Sequence, residues 1–326
     1  MSVASPFEGY EVEGALRPEA RAYGFDLDRT LSAVVAVEAR IPPDAFTAEM
    51  LGTERLGNGT VIGPNGLVLT IGYLITEAEH VVLTRNDGAR IPAHPLGIDP
   101  VTGFGLLQAL EPLGLPALPL ANSRALEEGA PVIIAGAGGQ AHAAAGQLLV
   151  RMPFAGYWEY LLENALMTEP AHPHWSGAAL ITSSGELAGV GSLLLERQSR
   201  HGRAPINMFV PTELLPPILD DLARGRPAHP PRPWLGVLAQ ERGARVLVAG
   251  VSPRGPAARA ELRPGDLILA VAGAEVSSLA GFYTALWAQG APGVVIPLKV
   301  QRDEDVFEVE IRSVDRAGLL RKPRLN

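Results

Sequence analysis

Gly57-Asn58-Gly59-Thr60-Val61-Ile62-Gly63-Pro64-Asn65-Gly66-Leu67-Val68-Leu69-Thr70 reads as two short strands around a tight turn. Two β-rich runs flank Pro64-Asn65-Gly66, where proline presets one turn dihedral and glycine supplies a positive φ. The same texture extends in both directions from about Leu31 to Leu194, with Asn86-Asp87-Gly88 and Ser183-Ser184-Gly185 as further turn signals. Outward from the hairpin, the pattern predicts strands at Val34–Ala39, Asn58–Ile62, Leu67–Ile71, His80–Thr84, Arg90–Gly97, Gly105–Ala109, Pro131–Gly136, Ala144–Arg151, Leu166–Thr168, Ala178–Ile181, Leu187–Leu194 and Asn207–Val210. Twelve short strands suit two six-stranded barrels, and the fold class expected is mainly β.

After Pro211 the apolar spacing of Leu214, Leu215, Ile218, Leu219 and Leu222 predicts a helix that closes the first domain. Arg224 to Pro233 is too rich in Pro and Arg to bury anything and reads as a stiff linker. Beyond it, strands are expected at Val246–Val251, Leu267–Val271 and Val294–Gln301, with a helix from Ser278 to Gln289. The resulting division is an N-terminal extension (1–27), a double barrel (28–223), a linker (224–233), a small domain of strands with one main helix (234–313) and a basic tail (314–326) expected to fray.

The 326 residues are 47% hydrophobic and 19% charged, with a net charge of −8, which offers no basic field for nucleic acid. No apolar run is long enough to span a membrane. The first residues lack a basic segment followed by an apolar stretch, so the expected location is the cytoplasm. With no cysteine, disulfides and thiolate chemistry are excluded, and the seven histidines show no ligand spacing; no metal and no cofactor is expected.

Trp234-Leu235-Gly236-Val237, followed by Leu262-Arg263-Pro264-Gly265-Asp266-Leu267-Ile268, resembles the PDZ family. Read singly, Leu235, Val237, Phe282 and Leu286 are ordinary core residues. Their arrangement around Gly236 and the Pro-Gly-Asp turn carries the functional reading. The resemblance implies that backbone N–H groups of Trp234, Leu235, Gly236 and Val237 take a peptide's terminal carboxylate. Leu238 and Ala239 would then begin the pairing edge, with Phe282 and Leu286 lining the pocket for the last side chain. The implied partners are protein C-termini or exposed extended peptides.

The opening hairpin resembles the first-barrel segment of HtrA/Deg serine proteases, trypsin-fold enzymes that carry C-terminal PDZ domains. Gly97-Ile98-Asp99-Pro100, Leu115-Pro116-Ala117-Leu118-Pro119-Leu120, Ser176-Gly177-Ala178-Ala179-Leu180 and Ile206-Asn207-Met208-Phe209-Val210-Pro211 extend the likeness in order. That family's chemistry needs a serine, a histidine base, an orienting aspartate and oxyanion donors. By the resemblance, Ser176 keeps the nucleophile position, Tyr73 stands at the histidine position and Gly103 at the aspartate position. His174 replaces the glycine of the oxyanion loop, where a Cβ disfavours the backbone geometry that an oxyanion donor needs. Tyrosine is a poor base at neutral pH, so the Ser176 hydroxyl is expected to bond locally in its turn, and Trp175 and His174 to fill the cleft.

Two function classes follow. One is an HtrA-like pseudoprotease acting as a peptide-binding adaptor or chaperone-like scaffold in protein quality control. The other is an active serine endopeptidase in which His172 or His174 serves Ser176 as a rewired base. His80 and Asp99 are expected to be structural. The resemblance also implies a trimer held by N-terminal aromatics, for which Phe7, Tyr10, Tyr23 and Phe25 are candidates, unless these pack on their own barrel.

Overall fold

The computed structural model describes residues 10–199 and 202–322. It divides into two compact units, the first built, among the described residues, from 10–152, 164–199, 202–228 and 321–322. Pro153–Glu163 and His229–Leu320 form the second. The segment 153–163, which strand spacing alone places inside the barrel domain, thus packs with the second unit.

In the first unit, β1 (Val34–Arg40), β2 (Glu54–Gly63), β3 (Leu67–Ile71), β4 (His80–Thr84), β5 (Arg90–Ile98) and β6 (Phe104–Ala109) close into an antiparallel barrel of order β1-β2-β3-β6-β5-β4. The ladder register puts buried Val35, Val37, Val68, Leu83, Ile91 and Leu107 on one face of this sheet, which fills the barrel interior. A second barrel contains β7 (Pro131–Ala135), β8 (Ala143–Gly156), β9 (Tyr160–Glu169), β10 (Ala179–Thr182), β11 (Leu187–Ser199) and β12 (Gly202–Pro211), in order β10-β11-β12-β9-β8-β7. Val132, Ile134, Leu148, Leu166, Leu180 and Phe209 belong to its core. Closure leaves neither sheet with an open edge.

Two second-barrel strands are longer than expected: β8 spans 14 residues and β11 spans 13. β11 stays paired with β12 through Glu196, Arg197, Gln198 and Arg203, polar residues that present no hydrophobic signal. The helix expected over 214–222 is also corrected. A single 3₁₀ turn, Thr212–Leu214, is followed by a separate helix, Leu219–Ala223. Pro216 and Pro217 fall between them and cannot donate the amide bonds that would join the two.

In the second unit, β13 (Pro233–Trp234) pairs with β20 (Val314–Asp315). The main sheet runs β14 (Val237–Glu241), β15 (Val246–Val251), β16 (Leu267–Val271), β18 (Val295–Arg302) and β19 (Asp305–Arg312), with β17 (Ala274–Glu275) attached to β16. A helix, Leu279–Trp287, is capped by the Ser278 hydroxyl, which accepts from Gly281 N. Its Phe282, Tyr283 and Leu286 are fully buried against Leu235, Val237, Val248 and Ile296. Asp266, 1% exposed, accepts two 2.7 Å bonds from Arg302 and one of 2.8 Å from Arg263 N, which fixes the Pro264-Gly265-Asp266 turn.

The tail does not simply fray. Arg316–Leu319 forms a 3₁₀ turn capped by Asp315, and Arg321 N donates to Glu77 Oε1 at 3.0 Å. Tyr10 packs edge-on against His172 and His174, at 6.2 and 5.3 Å between ring centroids. Phe25 lies against Gly185 and Tyr23 against Phe25. These aromatics therefore tuck onto the first unit itself; Phe7 lies outside the described residues.

Candidate functional site

The serine loop and its tyrosine form the first candidate site. A short helix, Gly72–Ile75, follows β3 and carries Tyr73. Arg55 fixes that turn from beneath, donating to Tyr73 O at 2.6 Å and to Thr76 O at 3.0 Å. Ser176 lies on the loop before β10, and its Oγ is 2.8 Å from Tyr73 Oη. The expected local turn bond is replaced by this contact across 103 residues of sequence.

The phenol also lies 2.8 Å from Ser192 O. Ser192 sits where the register of β11 against β12 shifts between Gly191 and Leu193, a bulge that turns its carbonyl out of the ladder. A carbonyl oxygen can only accept, so the single phenol proton goes to Ser192 O, and Ser176 must donate its own hydrogen to the phenol oxygen. Tyr73 Oη therefore donates one bond and accepts another. Burial pushes its pKa further above the ordinary tyrosine value, with the Ser176 bond opposing more weakly. A protonated phenol that already accepts the serine hydrogen bond does not take up the serine proton at neutral pH.

Gly103 has φ +86 and no side chain to offer. Its carbonyl instead accepts from Gly72 N at 2.7 Å, so the backbone at this position holds the tyrosine helix. Asp99, 1% exposed, accepts from Thr102 N and Thr102 Oγ1, both at 2.7 Å, closing the preceding turn. His80 begins β4 on the surface. In the oxyanion loop, His174 is not among the residues with positive φ, and its N–H donates to His172 Nδ1 at 3.1 Å. That donor is committed to a neighbouring ring.

His172 is 1% exposed, with Nε2 3.1 Å from His142 O and Nδ1 accepting from His174 N. The two bonds define a neutral ring protonated on Nε2. Burial, aided by the charges of His174 and His142, lowers its pKa from 6.5 to about 4. The unfolded chain takes up this proton first as the pH falls. The contribution to stability is therefore complete above pH 6.5 and is lost progressively down to pH 4. The expected loss is about 3 kcal/mol. Urea midpoints measured from pH 7 to pH 4 check it, and His172→Gln will flatten the slope.

The second candidate site is the turn joining β13 to β14. Gly236 has φ +79, and an added Cβ would lie 2.9 Å from Trp234 Cη2, so only glycine fits. The N–H groups of Leu235, Gly236 and Val237 converge on Glu159, at 3.2, 2.7 and 3.0 Å from Oε1. Trp234 lies just before them in β13, and Leu238 follows in β14 beside a bulge at Leu238/Ala239. Ala239 N donates to Tyr157 O at 2.9 Å. From the helix, the side chain that reaches the segment is Tyr283, which donates to Gly156 O at 2.6 Å and accepts from Glu159 N at 3.2 Å. Phe282 and Leu286, expected to line a pocket, lie within the core at 0% exposure. Sequence reasoning misses Tyr283, Glu159, Ser192 and Asn58; the only signal for Glu159 is an acid flanked by Tyr157, Trp158 and Tyr160. Among the described residues no cluster of His, Asp or Glu is arranged to hold a metal ion, and no helix is long and apolar enough to cross a membrane.

Comparison with known proteins bears on both sites. Residues 57–190 match the trypsin-like peptidase domain and residues 233–312 the PDZ domain. The serine endoprotease DegS of Escherichia coli K12 is 28% identical over 310 residues, covering 89% of this chain and 85% of that protein. A probable periplasmic serine endoprotease DegP-like from Halomonas elongata is 26% identical over 273 residues, covering 78% of this chain and 56% of that protein. Among solved structures, the HtrA-type protease AlgW with tripeptide superposes with a TM-score of 0.52 at 24% identity, over 94% of this chain and 99% of that one.

Proposed function

This chain belongs to the HtrA-type family, with a trypsin-like peptidase domain and a PDZ domain, and from that premise we propose that it binds peptides without cleaving them. The observation that carries this reading is the protonated Tyr73 hydroxyl, which accepts a hydrogen bond from Ser176 at 2.8 Å and commits its own proton to Ser192 O. A trypsin-like serine reacts only when its base accepts the proton and an oxyanion is stabilised. Here the residue at the base position is a buried phenol whose one proton is committed to Ser192 O. The His174 N–H is held by His172. Loss of base, orienter and an oxyanion donor together leaves a rate near that of the unassisted reaction.

The other half of the proposal rests on the second unit. Its three converging N–H groups and the edge strand β14 supply the two elements of strand-addition recognition, a carboxylate cradle and a backbone ladder. The AlgW structures solved with tripeptide and with decapeptide support peptides as the ligand class. The resulting protein acts as an adaptor or scaffold that captures C-termini or extended segments. The decisive measurement is labelling of the full chain with a fluorophosphonate, alongside casein hydrolysis. The expected outcome is no adduct on Ser176 and a rate equal to that of Ser176→Ala. An adduct, or hydrolysis abolished by that substitution, would restore the endopeptidase reading.

A further inference from the structure

The cradle that a free C-terminus would need is already filled within the second unit. A backbone N–H donates to one strong acceptor at a time, and those of Leu235, Gly236 and Val237 all point at the Glu159 carboxylate. A glutamate side chain ends in the same two-oxygen acceptor as a chain terminus, so the chemistry of recognition is identical. The edge of β14 is also engaged, through Ala239 N and Tyr157 O at 2.9 Å. Carboxylate capture plus a bond to the strand edge is the pattern of a docked C-terminus, here formed by the turn between β8 and β9.

The backbone of that segment fits the role. A peptide stops at its carboxylate, whereas this chain must continue past Glu159 into β9. Glu159 does so at φ +59, a left-handed conformation that a non-glycine residue adopts only when its surroundings impose it. The Tyr283 hydroxyl supplies that constraint, bonding Gly156 O on one side of the turn and Glu159 N on the other. Trp158 stacks on Tyr160 at 5.5 Å and 15°, and Ala155 and Leu161 pack against the core of the unit.

We infer that Glu159 is the resident ligand of the groove, and that residues 156–160 act as an internal pseudo-C-terminus which any partner must displace. This rests on the peptide-binding reading above. Because both ligands need the same three N–H groups, binding is mutually exclusive, and the apparent affinity for a free peptide is reduced by the fraction of time the groove is vacant. A segment tethered in cis acts at a high effective concentration, so a free peptide must bind well to compete.

The test uses the full chain as wild type, Glu159→Ala and Tyr283→Phe. Hydrogen exchange at the amides of Leu235, Gly236 and Val237 reports the docked carboxylate without any peptide. Exchange should be slow in the wild type and at least tenfold faster in Glu159→Ala, with a smaller rise in Tyr283→Phe. A fluorescein-labelled pool of decapeptides with free apolar C-terminal residues, read by anisotropy against the amidated pool, should bind Glu159→Ala at least tenfold more tightly than wild type. Unchanged amide exchange in Glu159→Ala would overturn the internal ligand, as would equal affinity of wild type and variant for the free-carboxylate pool. If the amides open but neither protein binds the pool, the displacement step and the peptide-binding reading both fall, while the Glu159 contact stands. Should Glu159→Ala not fold, Tyr283→Phe, which keeps the aromatic ring in the core, gives the same two readouts.

Discussion

Gly177→Ala will destabilise the first unit by about 4 kcal/mol or more, enough to lower its melting temperature by roughly 10 °C. Gly177 follows the serine with φ +71, and a Cβ built there would lie 1.9 Å from Asn58 O and 2.8 Å from Asn58 C. Those atoms belong to a strand backbone fixed in its ladder, with Asn58 paired to Ala36, so no side-chain rotation relieves the overlap. Alanine in a left-handed conformation costs about 1 kcal/mol by itself, and the rest comes from forcing the loop away from β2. Gly129→Ala is the matched control: its φ is +81, yet nothing lies within 4 Å of the added Cβ. It should cost only about 1 kcal/mol in urea unfolding. Equal losses for the two variants would show that the close approach to Asn58 contributes nothing.

The glycine after the serine therefore has a structural reason to be glycine that is independent of any catalysis. Much of the fold is legible for the same kind of reason. Gly66, Gly88 and Gly185, which punctuate the strand pattern, take φ values of +77, +86 and +86, and each marks a reversal between paired strands or their flanks. Strand lengths are less legible, because ladder bonds carry β11 and β12 through Glu196, Arg197, Gln198 and Arg203. The split of the 212–223 helix is visible in Pro216 and Pro217, whose missing amides outweigh the apolar spacing of the leucines around them.

At the site, sequence position puts Tyr73 near Ser176 but cannot show where the protons go. That depends on Ser192, whose carbonyl is freed by a bulge with no sequence signature. Gly103 likewise reads as a missing carboxylate. Its φ of +86 and its bond from Gly72 N show a backbone position with a task of its own, at which a restored aspartate would be strained. Glu159 is the least legible of all, since an acid in a β-turn is ordinary until three amides 76 to 78 residues away are seen to converge on it.

Asn58→Ala will produce the other large loss, about 3 to 4 kcal/mol, from hydrogen bonds rather than overlap. Asn58 is fully buried. Its Nδ2 donates to His174 O at 2.9 Å and to Ser176 O at 3.0 Å, and its Oδ1 accepts from Ala137 N at 2.9 Å. One amide side chain from β2 thus holds both the serine loop and the turn after β7. Alanine leaves the Ala137 N–H buried without that acceptor, strips His174 O of its donor and opens a small void, whereas Ser176 O keeps its bond from Asn58 N. Asn58→Asp separates these contributions. It preserves shape and the acceptor for Ala137 but sets a carboxylate against two carbonyl oxygens, which raises its pKa above the ordinary aspartate value. The folded state then binds the proton more tightly than the unfolded chain, so the penalty of Asn58→Asp is greatest at neutral pH and shrinks on acidification. His172 titrates in both proteins and cancels in the difference, so the gap between the two in urea midpoint must narrow as the pH falls. A gap that stays constant from pH 7 to pH 4 would mean that Asn58 acts through its volume and not through its amide protons.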